Sequence, residues 1–311
     1  MIDRKHVAFR ASAISLVANA TLSTAKIVIG LLSGSMAVLA DGIDSSFDAT
    51  TSVVTYVSSA IASKPPDRDH PYGHERAETV AAKVIAMLIF FAGAQLALSS
   101  FGKLFGDSYR IERVTLALSV SGLSAVAKYA LYRYKKHIGK KIDSSVFIAY
   151  ALNMRSDVWI SGSVFVGLLM VQLTGIVAFD AILGILVSVM IIRTALSVFF
   201  ETSYELMDGI PAKNPIYQDV FYRLKDVPGV INPHKMRIRK MGSKYLVDLD
   251  IEVDPTLSVR QAHAVSKRAE RAIKNANEGI YDVHVHIEPT GNIEDENYGI
   301  DDSDIQRKND D

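Results

Sequence analysis

Two pairs of polar residues recur at helical spacing inside apolar stretches of the sequence. Asp44 and Asp48 are four residues apart, and so are Asn153 and Asp157. On helices, each pair would therefore lie on one face. An ionisable group in hydrocarbon costs about 3 kcal/mol or more, so each one needs a compensating partner or a function. Because both pairs fall near the middle of their stretches, they predict a four-ligand cation site with oxygen donors only.

A structural interpretation of the membrane acids stays open at this point. They could pair with Arg155, Lys26 or Lys83, or remain protonated and hold helices together. Asp41, a third acid in the same stretch as the first pair, fits helix packing as well as function. Lys26 lies close to the end of its stretch, where its long side chain is expected to reach the interface. Asp180 is expected at the interface or in a pair between helices.

A loop with two histidines follows the second apolar stretch. His70 and His74 are four residues apart, and Asp67 precedes the first of them by three. Two imidazoles and a carboxylate suit a divalent transition metal. Pro71 and Gly73 argue against a regular helix, so a turn would have to bring the ligands together. A solvated loop with incidental histidines is the alternative.

A further cluster of metal-ligating residue types lies in the C-terminal third. His234, Asp250, His286 and Glu288 fall on or beside predicted strands, and His263 falls on the helix between them. His286 and Glu288 alternate onto one strand face. The alternative is a polar sheet face whose histidines have ordinary hydrogen-bond partners.

The elements that must position the first site are six long apolar stretches. A bilayer-spanning helix needs roughly 20 mainly apolar residues. The candidates are Ala11–Leu32, Met36–Ala62, Thr79–Phe101, Leu116–Tyr132, Phe147–Thr174 and Ala178–Phe200. The sequence thus predicts a polytopic α-helical membrane protein with six transmembrane helices. A large all-helical soluble protein is the alternative, but it would have too little polar surface for water.

Composition excludes several other classes. Hydrophobic residues make up 49% of the 311 residues, and the mean hydropathy is +0.17. The net charge of zero argues against a nucleic-acid partner. Because the chain has no cysteine, disulfides, thiolate sites and cysteine nucleophiles are excluded. An intramembrane metalloprotease would need an H-E-x-x-H helix, and the sequence His74-Glu75-Arg76 does not continue that motif.

Basic residues in the breaks predict the orientation. They concentrate before the first stretch and after the second and fourth, and the breaks after the first and fifth have none. This distribution places the N-terminus, the even-numbered breaks and the C-terminal part in the cytoplasm. No cleavable signal or transit segment is recognised, which favours a bacterial inner membrane.

The C-terminal part alternates between helical and strand periodicity. Its order is helix, strand, strand, helix, strand, which is typical of a small α+β domain. The predicted division of the chain is a six-helix domain over residues 1–207, a cytoplasmic α+β domain over 208–291, and a disordered acidic tail over 292–311.

Four motifs in this order resemble the cation diffusion facilitator family. They are LADGIDSSFDA at 39–49, DHPYGHERAE at 69–78, ALNMRSDVWISG at 151–162, and VPGV, QAH and VHVHIEP between 227 and 289. The resemblance implies six transmembrane helices, a cytoplasmic ferredoxin-like, metallochaperone-like domain, and a homodimer in the lipid bilayer. It also implies export of a divalent metal in exchange for protons, with the metal as substrate and regulator. Neither enzymatic activity nor a prosthetic group is implied.

The resemblance assigns roles residue by residue. It implies a transport site of Asp44, Asp48, Asn153 and Asp157, and a loop site of Asp67, His70 and His74. It further implies a cytoplasmic site of His234, Asp250, His263, His286 and Glu288, and a charge interlock at the dimer between Arg76 and Asp208.

Two departures from the family's zinc members bear on the ion. Asn153 and Asp250 stand where those members usually have histidine. The resulting oxygen-rich transport site favours Mn²⁺, followed by Fe²⁺ or Zn²⁺. A Na⁺/H⁺ antiporter on the same fold and a metal-sensing scaffold without flux are the alternatives.

Overall fold

The computed structural model describes residues 4–105, 110–141, 145–242, 244–292 and 298–301. The acidic tail predicted from residue 292 therefore lies largely outside the described residues. The side chain of Asn153 also lies outside them, although its backbone is part of a helix.

Six long helices contain the six predicted apolar stretches. They are α1 Arg4–Ser33, α2 Met36–Ala62, α3 Ala77–Leu104, α4 Val114–Lys141, α5 Ser145–Thr174 and α6 Ala178–Leu206. The bounds of α2 are those predicted from sequence. The fourth helix extends well past its predicted end at Tyr132, because lysine and arginine are good helix formers beyond the apolar span.

Five of these helices are long and apolar enough to cross a membrane. They are α1 from Ala13, α3, α4 as far as Ile138, α5 from Met154, and α6. The 27-residue α2 is long enough, but Asp41, Asp44 and Asp48 reduce its apolar character. The protein thus has a transmembrane helical domain, and the count of six spans stays a prediction.

Close contact between α1 and α2 depends on glycine. A methyl group at Gly42 would lie 2.8 Å from the backbone nitrogen of Ile27, and one at Gly30 would lie 2.7 Å from that of Leu39. Small residues allow helix backbones to approach each other in membranes. Around this contact, a buried apolar cluster includes Val38, Val164 and Ile191. The approach places the polar residues of α1 and α2 side by side.

The C-terminal part folds as the predicted α+β sequence of elements. They are α7 Pro215–Lys225, β1 Ile231–Met241, β2 Lys244–Val253, α8 Val259–Lys274 and β3 Ile280–Pro289. The sheet order is β1-β2-β3, in which β1 and β2 are antiparallel and β2 and β3 are parallel. A parallel pair requires a crossover connection, which α8 supplies.

Local sequence explains where the two helices of this domain begin. Asn214 accepts a hydrogen bond from the Ile216 backbone at the start of α7, and Ser258 forms a capping box with Gln261 at the start of α8. Such caps satisfy backbone N–H groups that have no partner within the helix. Both helices then bury one apolar face in the cluster beneath the sheet.

The chain separates into two compact units. The first includes the chain up to Val57 together with Ala81–Phe199, and the second includes Ser58–Val80 together with the chain from Phe200 onward. The ends of α2 and α6 and the start of α3 thus belong with the C-terminal sheet. The division at 207 and 291 drawn from composition stays a prediction.

Candidate metal-binding sites

Ser161 sets the level at which α5 meets α2. Its hydroxyl donates to the Asp41 carboxylate, 2.9 Å from Oδ1 and 3.0 Å from Oδ2. Asp157 lies four residues before Ser161, about 6 Å along α5, while Asp44 and Asp48 lie about 4.5 and 10.5 Å beyond Asp41 along α2. The carboxylates of Asp157, Asp44 and Asp48 are close enough for their charges to interact, which fits antiparallel packing of α2 and α5 here.

Three carboxylates of the predicted transport site therefore fall at neighbouring levels on facing helices. At about 1.5 Å per residue, the level of Asp157 falls between those of Asp44 and Asp48, and all three side chains are half-buried. Asn153 belongs to the same helix, but its side chain lies outside the described residues. Carboxylate oxygens clustered in this way can bind a hard divalent cation.

Next to these carboxylates lies a buried ionic network. Lys26 of α1 places its Nζ 2.9 Å from Asp41 Oδ2 and donates to Ser45 Oγ at 2.9 Å. Lys128 of α4 places its Nζ 3.8 Å from Asp41 Oδ1. Lys26 and Asp41 are fully buried, and Lys128 is 2% exposed. Asp41 thus joins α1, α4 and α5, which supports the helix-packing interpretation of this acid.

Two residues of the network differ from what the sequence predicts. Lys26 was expected to reach the interface, and this is wrong because the close contact of α1 and α2 encloses it. Lys128 is absent from the predicted site residues. A signal existed, since Lys128 is a single charge well inside the predicted fourth stretch.

Asp180 of α6 caps the beginning of α2. Its carboxylate accepts hydrogen bonds from the Ser35 hydroxyl, from Met36 N at 2.7 Å and from Ala37 N at 3.3 Å. Asp180 is fully buried. A carboxylate stabilises the positive end of a helix dipole, so the predicted pairing between helices is confirmed.

The histidine loop brings its three predicted residues together. Ligand atoms of Asp67, His70 and His74 all lie within 4.8 Å of one another. The predicted turn is present, because Gly73 N donates to His70 O at 3.0 Å and Gly73 adopts a φ of 91°. Only glycine adopts that conformation without strain.

Two further features of the loop suit a metal ion. Backbone N–H groups of His70 and Asp69 donate to Asp67 Oδ1 at 2.7 and 3.0 Å and hold the pKa of Asp67 below its usual value. The carboxylate is therefore ionised and fixed in orientation. His74 Nδ1 is buried, and among the described residues it has no hydrogen-bond partner. A buried polar atom without a partner is costly unless it binds something.

The C-terminal sheet brings together three of its five predicted ligands. Ligand atoms of His234, Asp250 and Glu288 lie within 4.8 Å of one another. His286 is close, with Nε2 3.5 Å from Glu288 Oε1, but its side chain is 68% exposed and it lies outside this cluster. His263 is exposed on α8 and also lies outside it. Both residues remain predicted ligands only.

Strand register and backbone irregularity position this cluster. His234 pairs with Asp250 across β1 and β2, and Asp250 pairs with His286 across β2 and β3. Register shifts flank His234, and the neighbouring Asn232 and Lys235 adopt positive φ. Bulges of this kind redirect a side chain.

Hydrogen bonding fixes the orientation of the His234 ring. His234 Nδ1 lies 2.7 Å from the carbonyl oxygen of Asn232 and must be the donor, and Nε2 lies 3.5 Å from Glu288 Oε2, inside the cluster. A cavity of about 440 Å³ opens here, lined by Asp248, Asp250, His286, Glu288 and Tyr298 among others.

Arg76 and Asp208, the residues of the predicted charge interlock, contact each other within one chain. Arg76 Nη2 donates to Asp208 Oδ1, and Arg239 Nη1 lies 3.9 Å from Asp208 Oδ2. Nearby, Glu205 contacts Lys240 Nζ at 3.1 Å and accepts from the Gly242 backbone at 3.3 Å. The ends of α3 and α6 are thereby tied to the turn between β1 and β2.

Comparison with known proteins agrees with these features. The cation efflux transmembrane domain matches residues 12–207, and the cytoplasmic domain of cation efflux proteins matches residues 212–290. The manganese efflux system protein MneS of Bacillus subtilis is 31% identical, with 89% of this chain and 93% of that protein covered. MneP of the same organism, also named a manganese efflux system protein, is 29% identical, with 92% and 98% covered.

Among solved structures, the metal-bound C-terminal domain of the CzcD transporter from Thermotoga maritima is 39% identical. The match covers 27% of this chain and 99% of that domain, with a TM-score of 0.26. The two domain matches together account for both the membrane helices and the α+β domain. This integral membrane protein belongs to the cation diffusion facilitator family of cation efflux proteins.

Proposed function

We propose that the protein is a secondary active transporter that exports a divalent cation, Mn²⁺ in preference to Fe²⁺ or Zn²⁺, from the cytoplasm in exchange for protons. The observation that carries this proposal is the hydrogen bond between Ser161 and Asp41, which joins α5 to α2 about one turn from Asp157 and from Asp44. Asn153 completes the proposed ligand set. Such acids inside a membrane domain are typical of ion pathways and proton relays.

Ligand chemistry supports manganese. Three carboxylates and an amide form a hard oxygen site, which Mn²⁺ accepts readily, whereas Zn²⁺ gains more from imidazole. The relatives MneS and MneP are named as manganese efflux system proteins. A conformational change between inward-open and outward-open arrangements of the helices would carry the bound ion across the membrane.

The other clusters have proposed roles on the cytoplasmic side. Asp67, His70 and His74 form a second cation site beside the ends of the helices. His234, Asp250 and Glu288, with His263 and His286 nearby, bind metal in the C-terminal domain of a homodimer. The pair Arg76–Asp208 supports the dimer near the membrane surface. The N-terminus and the C-terminal domain lie in the cytoplasm, and the membrane is a bacterial inner membrane.

Flux into inside-out vesicles tests the transport site. Wild-type vesicles should accumulate Mn²⁺ when their interior is acidic, and Asp48→Asn should abolish this uptake because one of three carboxylates is lost. Asp219→Asn on the exposed face of α7 makes the same chemical change away from the site and should transport normally. Equal uptake by wild type and Asp48→Asn would disprove the site assignment.

Two further measurements separate the alternatives. Na⁺-dependent proton movement without Mn²⁺ flux would identify a Na⁺/H⁺ antiporter, and metal binding without any flux would identify a sensing scaffold.

Asn153→His should raise Zn²⁺ transport relative to Mn²⁺ transport. An unchanged ratio would contradict the selectivity argument from ligand softness.

A further inference from the structure

Lys128 is a buried cation that the proposed transport site does not use as a ligand. Its side chain is 2% exposed, and among the described residues none accepts a hydrogen bond from its Nζ. Its ionic contact with Asp41 Oδ1 spans 3.8 Å, a distance too long for a hydrogen bond. Burying an ammonium with so few partners is expensive, which calls for a function beyond packing.

The two lysines of this network, Lys26 and Lys128, differ in how they are held. Lys26 is fixed by an ion pair to Asp41, a hydrogen bond to Ser45 and a contact with the Asp41 carbonyl at 3.4 Å. Asp41 is in turn held by the Ser161 hydroxyl. Lys26 and Asp41 therefore neutralise each other, and Lys128 adds one positive charge that this pair does not cancel.

That extra charge acts on the transport carboxylates. Lys128 interacts electrostatically with Asp157, Asp44 and Asp48 as well as with Asp41. Asp41 is one turn from Asp44 on α2, so the ammonium beside Asp41 lies close to the level of the site. Lys135, two turns further along α4, is half-buried and also interacts with Asp48 and Asp157. Lys128 is the more enclosed of the two cations.

We infer that Lys128 is a resident counter-cation of the transport site, which weakens the binding of the transported ion enough for its release. This inference rests on the proposed transport function and identifies a residue that sets affinity without ligating the ion. A positive charge near the site repels an incoming divalent cation and partly compensates the carboxylates while the site is vacant. Transport then balances binding against release through the net charge of the buried groups.

A charge series tests this inference through the KM and the maximal rate of Mn²⁺ flux in proteoliposomes. Relative to wild type, Lys128→Met makes the buried groups one unit more negative, Asp41→Asn makes them one unit more positive, and the double variant restores the original sum. Each unit of charge should change KM by about tenfold or more at the dielectric screening typical of protein sites.

The expected order is distinctive. KM should fall in Lys128→Met, rise in Asp41→Asn, and return to within about threefold of wild type in the double variant. The maximal rate of Lys128→Met should fall, because release becomes slow. If the network only positions helices, both single variants and the double variant will lose rate with no ordered change in KM, and that result would overturn the inference.

Two additions keep the test decisive. If Lys128→Met does not fold, Asp41→Asn and the double variant still test the inference. The inference is contradicted if adding Lys128→Met to Asp41→Asn fails to restore the wild-type KM. Asp48→Asn separates the two levels of the proposal. If Asp48→Asn transports Mn²⁺ with the wild-type KM, the proposed transport site is wrong. If Asp48→Asn loses transport but the charge series shows no ordered change in KM, only the proposed role of Lys128 is wrong.

Discussion

Replacement of Lys26 by methionine removes one partner of a fully buried ion pair and keeps the apolar stem of the side chain. Lys26 Nζ lies 2.9 Å from Asp41 Oδ2, and both side chains have zero exposure. After the change, Asp41 retains Ser161, and Lys128 remains 3.8 Å away. Loss of one member of a buried pair costs about 3–5 kcal/mol. Because Lys128 offsets part of this, we expect the free energy of unfolding to fall by about 3 kcal/mol.

The assay is unfolding of the purified protein in mixed micelles, followed by fluorescence of Trp159, the single tryptophan of the chain. Lys83→Met is the matched control. Lys83 is half-buried, with Nζ 4.9 Å from the centre of the Phe199 ring, so its loss should cost about 1 kcal/mol or less.

The double variant Lys26→Met/Asp41→Asn sharpens the interpretation. It removes both charges of the pair, and replacement of both partners of a buried pair is often close to neutral. Because Lys128 also loses its contact with the Asp41 carboxylate, we expect the double variant to recover only part of the stability lost in Lys26→Met. A loss below about 1 kcal/mol in Lys26→Met, as for an exposed pair, would refute the view that the buried pair holds α1 and α2 together.

Three further predictions concern topology, capping and assembly. Because the chain has no cysteine, Leu32→Cys and Lys64→Cys each carry a single thiol, and an impermeant reagent should label them from opposite sides of the membrane; labelling from one side would exclude α2 as a span. Asp180→Ala should lower stability by about 1–2 kcal/mol, since the first N–H groups of α2 lose their acceptor; an unchanged melting temperature would contradict the capping role. Arg76→Asp and Asp208→Arg should each weaken the free energy of dimerisation by roughly 1 kcal/mol or less, because the pair is partly exposed. The charge-swapped double variant should restore it. A double variant that dimerises no better than either single variant would exclude the interlock.

Most of the fold could be predicted from the sequence because the signals are long. Each helix from α1 to α6 contains a predicted apolar stretch, and the order of elements after residue 208 agrees with the alternation of periodicities. The errors fall at helix ends. There α4 continues from the predicted end at Tyr132 to Lys141, because basic residues propagate a helix as readily as apolar ones.

The sites could be predicted only where the spacing itself brings residues together. Asp67, His70 and His74 are joined by one turn, and the structure places their ligand atoms within 4.8 Å. His263 could not be placed in this way. Val265, Ala269 and Ile273 form the buried face of α8, and this leaves His263 exposed on another face. Periodicity identifies a face of a helix, but packing against the sheet decides which face is buried.

Lys128 shows the same limit inside the membrane domain. A lysine in the middle of an apolar stretch indicates a buried charge, but its partner depends on which helices α4 contacts. In the structure α4 packs against α1 and α5, which carry Lys26 and Ser161. Contacts between helices far apart in sequence thus determine the electrostatics of the site, and no local pattern reports them.

The same contacts explain why α2 is the one long helix whose composition argues against a membrane span. Hydropathy counts Asp41, Asp44 and Asp48 as though each faced lipid, where each would cost about 3 kcal/mol or more. In the fold, Asp41 is fully buried against Lys26, Lys128 and Ser161, and the other two acids are half-buried. Their environment is therefore supplied by neighbouring helices rather than by hydrocarbon. A helix that carries three acids is poor in apolar character, and it becomes stable in a membrane only as part of a bundle that provides the opposite charges.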